Sequence, residues 1–84
     1  MEDVAYFLKG GVRKKVIYVI KDKAKTATMI SKELNKHRSS ISRVLIDLEK
    51  EGYARCENPG DDKYRLYSIT QKAKRVFEKL KEYN

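Results

Sequence analysis

Apolar residues in the middle of the chain recur with a helical period. Ala27, Ile30 and Leu34 fall at i, i+3 and i+7, which predicts one face of a short helix with Thr26 placed to cap its start. Asn35 stands where a residue tolerant of left-handed geometry ends a helix, and Lys36 and His37 complete a tight connection. A longer helix is predicted from about Arg38 to Glu51. Ile41, Leu45 and Leu48 form its apolar stripe at i, i+4 and i+7, Val44 widens that stripe, and Gly52 sits at the expected C-terminal cap. Two such stripes are expected to pack against each other.

Upstream, Val4, Phe7 and Leu8 suggest a short amphipathic turn that Gly10-Gly11 interrupts. A helix is then predicted from about Val12 to Asp22, with Val12, Val16, Val19 and Ile20 inward and Arg13, Lys14, Lys15 and Lys21 left for solvent. Lys23 to Lys25 reads as a connection. Downstream of Gly52 the period shortens. Tyr53 to Glu57 and Tyr64 to Ile69 predict two strands around the turn signal Asn58-Pro59-Gly60-Asp61-Asp62, with Tyr67 and Ile69 facing the core. Thr70 is placed to cap a last helix whose Ala73, Val76, Phe77 and Leu80 repeat the i, i+3, i+4, i+7 stripe, leaving Lys72, Lys74, Arg75, Lys79 and Lys81 outward.

Composition narrows the class of protein. At 84 residues with no linker or repeat, the expectation is one domain over residues 1–84 with one small core and no room for a ligand-sensing domain. The formal net charge of +8 favours a polyanionic partner, because a basic surface attracts phosphates and releases their condensed counterions. The longest apolar run, Val16 to Ile20, is far short of the roughly 18 residues a membrane span needs. The start, MEDVAYFLKGG, lacks a basic n-region, and Cys56 has no second cysteine to pair with, so a cytoplasmic location is expected.

The outward face of the longer central helix carries the sharpest chemistry. Arg38, Ser39, Ser42 and Arg43 set guanidinium groups and short hydroxyls side by side, with no acid before Asp47. Such a face suits phosphate and guanine edges. The expected fold class is α+β, mostly helical. The order helix, helix, turn, helix, hairpin, helix resembles the winged helix-turn-helix domains of ArsR-like and MarR-like transcriptional regulators, with a C-terminal helix after the β-hairpin wing. SSISRVLIDLEKEGYARC and YSITQKAK carry the resemblance most specifically. It implies double-stranded DNA as partner, with helix 38–51 in the major groove and hairpin 53–69 as the wing. It also implies Arg38, Ser39, Ser40, Ser42 and Arg43 as contacts of the recognition helix, Arg55, Lys63 and Arg65 as contacts of the wing, and a homodimer formed through residues 4–8 and the last helix.

Within that frame Arg43 has the reach to pair with a guanine, whereas Ser39 and Ser40 hold a phosphate or simply fill the helix start. Asp61 and Asp62 give the wing tip the wrong charge for a phosphate backbone, and Asp47, Glu49 and Glu51 are expected to face solvent and repel DNA from the far end of the helix. His37 and Cys56 are the sole His and Cys, too few soft ligands for a metal site, and no Gly-Lys-Ser/Thr phosphate loop is present. No enzyme, cofactor or small-molecule substrate is expected. Two other classes compete with DNA binding. An adaptor for another protein is suggested by Ile46 and Tyr18, which lie off the apolar stripes, and RNA binding shares the charge but lacks a clustered aromatic platform.

Overall fold

The computed structural model describes residues 5–7 and 11–81, with the side chains of Leu80 and Lys81 excepted. After a helical turn at 5–7 come α1 (Gly11–Ile20), α2 (Ala27–Leu34), α3 (Arg38–Lys50), β1 (Ala54–Cys56), β2 (Tyr67–Ile69) and α4 (Gln71–Lys81). This is a winged helix-turn-helix arrangement, in which α2 and α3 form the helix pair and β1–β2 the base of the wing.

Local signals set the ends of the central pair. The Thr26 hydroxyl accepts from the Met29 amide at 3.2 Å, satisfying a donor that the first helical turn leaves free. Asn35 is left-handed (φ 54, ψ 49), which lets the Lys36 amide reach back to the Ser31 carbonyl at 3.0 Å and close α2. His37 is extended and caps α3 without a side-chain bond, so neither Ser39 nor Ser40 acts as the N-cap. At the other end Gly52 takes φ 81 and the Tyr53 amide bonds to the Leu48 carbonyl at 2.8 Å.

The core is built where these elements meet. Ile30 from α2, Ile41, Leu45 and Leu48 from α3, and Val16, Ile17 and Ile20 from α1 are all buried, together with Phe7, Tyr53, Ala54, Tyr67, Ala73 and Val76. Ala27, Leu34 and Val44 complete the two central stripes as partly buried residues, so those faces pack as their spacing predicts. The inward face of α1 is rotated from expectation. Ile17 is buried while Val12 and Val19 are only half-buried, and the helix stops at Ile20 rather than Asp22. Gly11 is the first described residue of α1, and the interruption expected at Gly10-Gly11, with Val4 and Leu8, lies outside the described residues.

The strands are shorter than the tyrosine-rich runs suggest, and the turn side chains explain why. Pairing covers only Ala54↔Ile69, Arg55↔Ser68 and Cys56↔Tyr67. Beyond it, Asn58 Oδ1 accepts from the Leu66 amide at 2.7 Å and Asp61 Oδ1 accepts from the Lys63 and Tyr64 amides at 2.8 Å each. These carboxamide and carboxylate bonds take over donors that a longer ladder would have used. Lys25, expected in a plain connection, pairs antiparallel with Tyr67 from the other side, its amide and carbonyl bonding Tyr67 at 3.0 and 2.8 Å. Tyr67 is thus held on both flanks and buried, and Ile69, half-buried, packs against the core. Thr70 bonds the Ala73 amide at 3.2 Å and the Gly52 carbonyl at 2.6 Å, so one hydroxyl caps α4 and ties it to the end of α3.

Candidate nucleic-acid interface

With Ile41, Leu45 and Leu48 turned inward, helical geometry aims Ser39, Arg43, Ile46 and Lys50 directly outward, with Arg38 and Ser42 on one flank. Arg38, Ser39, Ser40 and Arg43 are exposed and Ser42 is half-buried; none of the five has a hydrogen-bond or ion-pair partner among the described residues. Exposed guanidinium and hydroxyl groups without internal partners keep their full hydrogen-bonding capacity for a ligand.

The wing brings further residues to the same side. Arg38, Ser42 and Ile46 of α3 line a groove with Thr28 of α2 and with Asp62, Lys63 and Arg65 of the wing. Thr28, Arg38, Lys63 and Tyr64 also line an adjoining hollow, where Asp62 supplies the one acidic group. Arg65 is more committed than the others. It is half-buried, its Nη2 reaches the Pro59 carbonyl at 3.4 Å, and its Nε is buried without a partner. Arg55 lies elsewhere, lining a separate groove with Lys23, Ser68 and Lys74 and sitting 3.5 Å from Glu57. The Ser68 hydroxyl and then Arg55 hold the Glu57 carboxyl below its usual range. Thr28, Ile46 and Tyr64 enter the interface without having been singled out as its residues from the sequence. Thr28 and Tyr64 could not be, because neighbourhood across the groove depends on how the wing folds back.

Acids at both margins have structural partners. At the tip, Asp61 turns its carboxylate onto two backbone amides, which lower its pKa and give its charge a structural partner. At the far end of α3, Asp47 does not simply face solvent. It accepts from the Tyr6 hydroxyl at 2.6 Å and pairs with Arg13 at 3.0 Å, while Arg13 also stacks 4.0 Å from the centre of the Tyr6 ring and donates to the Tyr6 carbonyl. Burial first, and then the Asp47 hydrogen bond, push the Tyr6 hydroxyl well above the usual phenol range. Lys21 too is drawn out of solvent, to Asp22 and the rings of Tyr18 and Phe77, and Lys25 pairs with Glu33. Arg13, Lys21 and Lys25 thus have structural partners within the domain.

Phe7 is buried against Tyr6 and Tyr53, which removes it from the surface expected to join two copies. Cys56 packs half-buried against the core. Among the described residues there is no cluster of potential metal ligands, and no helix is long and apolar enough to cross a membrane.

No protein-family model matches the chain, and no curated protein matches its sequence. Solved structures do match. The adhesin competence repressor AdcR of Streptococcus pyogenes superposes with a TM-score of 0.76 at 15% identity, over 88% of this chain and 55% of its own. The transcriptional regulator SlyA gives 0.73 at 16% identity, over 86% and 52%. Wild-type ZitR of Lactococcus lactis, solved in complex with DNA, gives 0.70 at 18% identity, over 79% and 46%. The chain spans about half the length of these regulators. Helix pair, hairpin and closing helix together are the winged helix-turn-helix fold that these solved structures share.

Proposed function

We propose that this chain binds double-stranded DNA sequence-specifically as a transcriptional regulator, with α3 in the major groove and the hairpin 53–69 as wing. The observation that carries this reading is the outward face from Arg38 to Arg43, unpartnered among the described residues and continued by Lys63 across the groove. Arg43 offers a bidentate fork to O6 and N7 of guanine, a pairing that discriminates by about 1–3 kcal/mol. Ser39, Ser40 and Arg38, in the first turn, hold phosphates together with the free amides of that turn, and Ser42 supports Arg43 from the neighbouring position. Lys63 and Arg65 take the adjacent backbone, with Thr28 and Tyr64 beside them; Arg55 stands outside this surface. ZitR, which shares the fold, has been solved with DNA.

Selection of bound duplexes from a random pool, followed by a salt titration, tests the reading. Enrichment of one motif is expected, with affinity falling steeply as salt rises, by a slope of about 0.9 per phosphate contacted. Failure to enrich any motif, with binding absent or indifferent to salt, would replace it with the adaptor reading.

A further inference from the structure

Ile46 is 56% exposed, and it occupies the middle of the face that α3 turns outward. Among the described residues the other large exposed apolar side chains have simpler accounts. Tyr18 is covered in part by Phe77 and Lys21, Tyr64 carries a hydroxyl, and Met29 is flexible. Ile46 has neither a polar handle nor a covering neighbour of that kind. Nor does helix propensity explain it, since β-branched Ile favours an exposed helical position less than Lys, Glu or Arg would.

We infer that Ile46 is a specificity-determining residue that reads the 5-methyl group of a thymine in the major groove. This rests on the DNA-binding reading above. Ser42 and Arg43 lie one turn before Ile46 and Lys50 one turn after it, and Lys63 stands across the groove. Around this one exposed large aliphatic side chain of α3 the cations Arg38, Arg43, Lys50 and Lys63 outnumber the acids Glu49 and Asp62, which suits a polyanion with an apolar spot, and in B-DNA that spot is the thymine methyl. An apolar protein groove would ask for a wider patch and fewer charges. The span also fits. Arg38 to Ile46 covers about 12 Å along the helix axis, comparable with the width of the major groove. Arg43 and Ile46, at i and i+3, then address neighbouring bases, one by hydrogen bonds and the other by packing.

The test uses the full chain on its enriched duplex, with each thymine replaced in turn by deoxyuridine, which removes the methyl and keeps the base pairing. Loss of affinity by about fourfold is expected at one or two positions, the factor given by burying one methyl-sized group. Ile46→Ala should bind the thymine duplex about that much more weakly and lose its sensitivity to deoxyuridine at those positions, while Ile46→Val keeps most of it. Wild-type indifference to every replacement, or an Ile46→Ala protein as sensitive as wild type, would overturn the assignment even while Arg43→Ala still relaxes the motif. Absence of any enriched motif would instead overturn the regulator reading beneath it. The wild-type measurement needs no variant, so it stands whether or not Ile46→Ala folds.

Discussion

The hydroxyl of Tyr6 donates a 2.6 Å hydrogen bond to Oδ2 of Asp47, joining residues 41 positions apart. Arg13 pairs with the same carboxylate oxygen at 3.0 Å, so the turn at 5–7, α1 and α3 meet on one acid. That meeting fixes the far half of α3 to the body of the domain. Tyr6→Phe should lower unfolding free energy by about 1 kcal/mol, and Asp47→Ala by about 2 kcal/mol because it strands two donors at once. Urea denaturation measures both losses. Neither variant should change the DNA motif, since Asp47 lies outside the outward ridge.

Arg43 and Lys63 should separate cleanly in binding. Arg43→Ala removes a fork aimed at base edges, so preference is expected to relax at one or two positions of the motif while other positions keep theirs. Lys63→Ala removes a point charge over the backbone, so affinity should fall for all sequences alike and the salt slope by about one. Competition binding against single-substitution duplexes, repeated at two salt concentrations, distinguishes the two. Equal relaxation by both variants would contradict the division of labour between helix and wing.

How much of this was legible beforehand depends on the range of the signal. Thr26, Asn35 and Gly52 act within a few residues of their own position, as Thr70 does in capping α4, and each ends or starts its helix as its chemistry predicts. Buried stripes in α2 and α3 follow from period alone. Asp47 was unreadable because its partners lie far away in the chain, and an acid near the end of an exposed helix looks the same whether solvated or paired. Lys25 was missed for a similar reason: a β-bridge of one residue leaves no alternating pattern. Shortening of the wing was half-visible, since Asn58 and Asp61 are turn formers, but which amides they would capture depends on the fold of the tip.

The turn between α2 and α3 sets the angle at which α3 is presented, and it rests on one left-handed residue. Asn35 holds φ 54 and ψ 49, so Asn35→Ala should cost about 1 kcal/mol, and Asn35→Gly should be tolerated. Thr26→Ala, which removes the cap of α2, should cost about 1 kcal/mol as well. Thermal unfolding monitored by circular dichroism checks these values. A smaller effect for Asn35→Ala than for an exposed mid-helix substitution would show that the turn relaxes to another geometry.

Acid should loosen the wing tip. Asp61 has its pKa lowered by the amides of Tyr64 and Lys63, so the folded carboxylate holds its charge below the pH at which the unfolded one is protonated. Stability from this contact is therefore present above the ordinary aspartate range and is lost as pH falls through the folded value. NMR amide shifts of Lys63 and Tyr64 should titrate together in that acidic window. Asp61→Ala should abolish the shared titration and leave the wing amides open to exchange at neutral pH.

A single copy presents a small reading surface. Between Arg38 and Ile46 only one face of α3 can reach base edges, and single modules of this size bury about 600–1,000 Å² on DNA. Each base pair read contributes about 1–3 kcal/mol, so one copy distinguishes only a few positions against the excess of competing sites. Two copies related by a two-fold axis double that number, with their α3 helices about 34 Å apart on successive turns of one face of the duplex. The enriched motif should therefore be an inverted repeat whose half-site centres lie about one helical turn apart. Sedimentation of the protein with such a duplex should show two chains bound per DNA. A motif with a single asymmetric half-site, together with only the 9.8 kDa species free and one chain per duplex, would mark the domain as a monomeric reader.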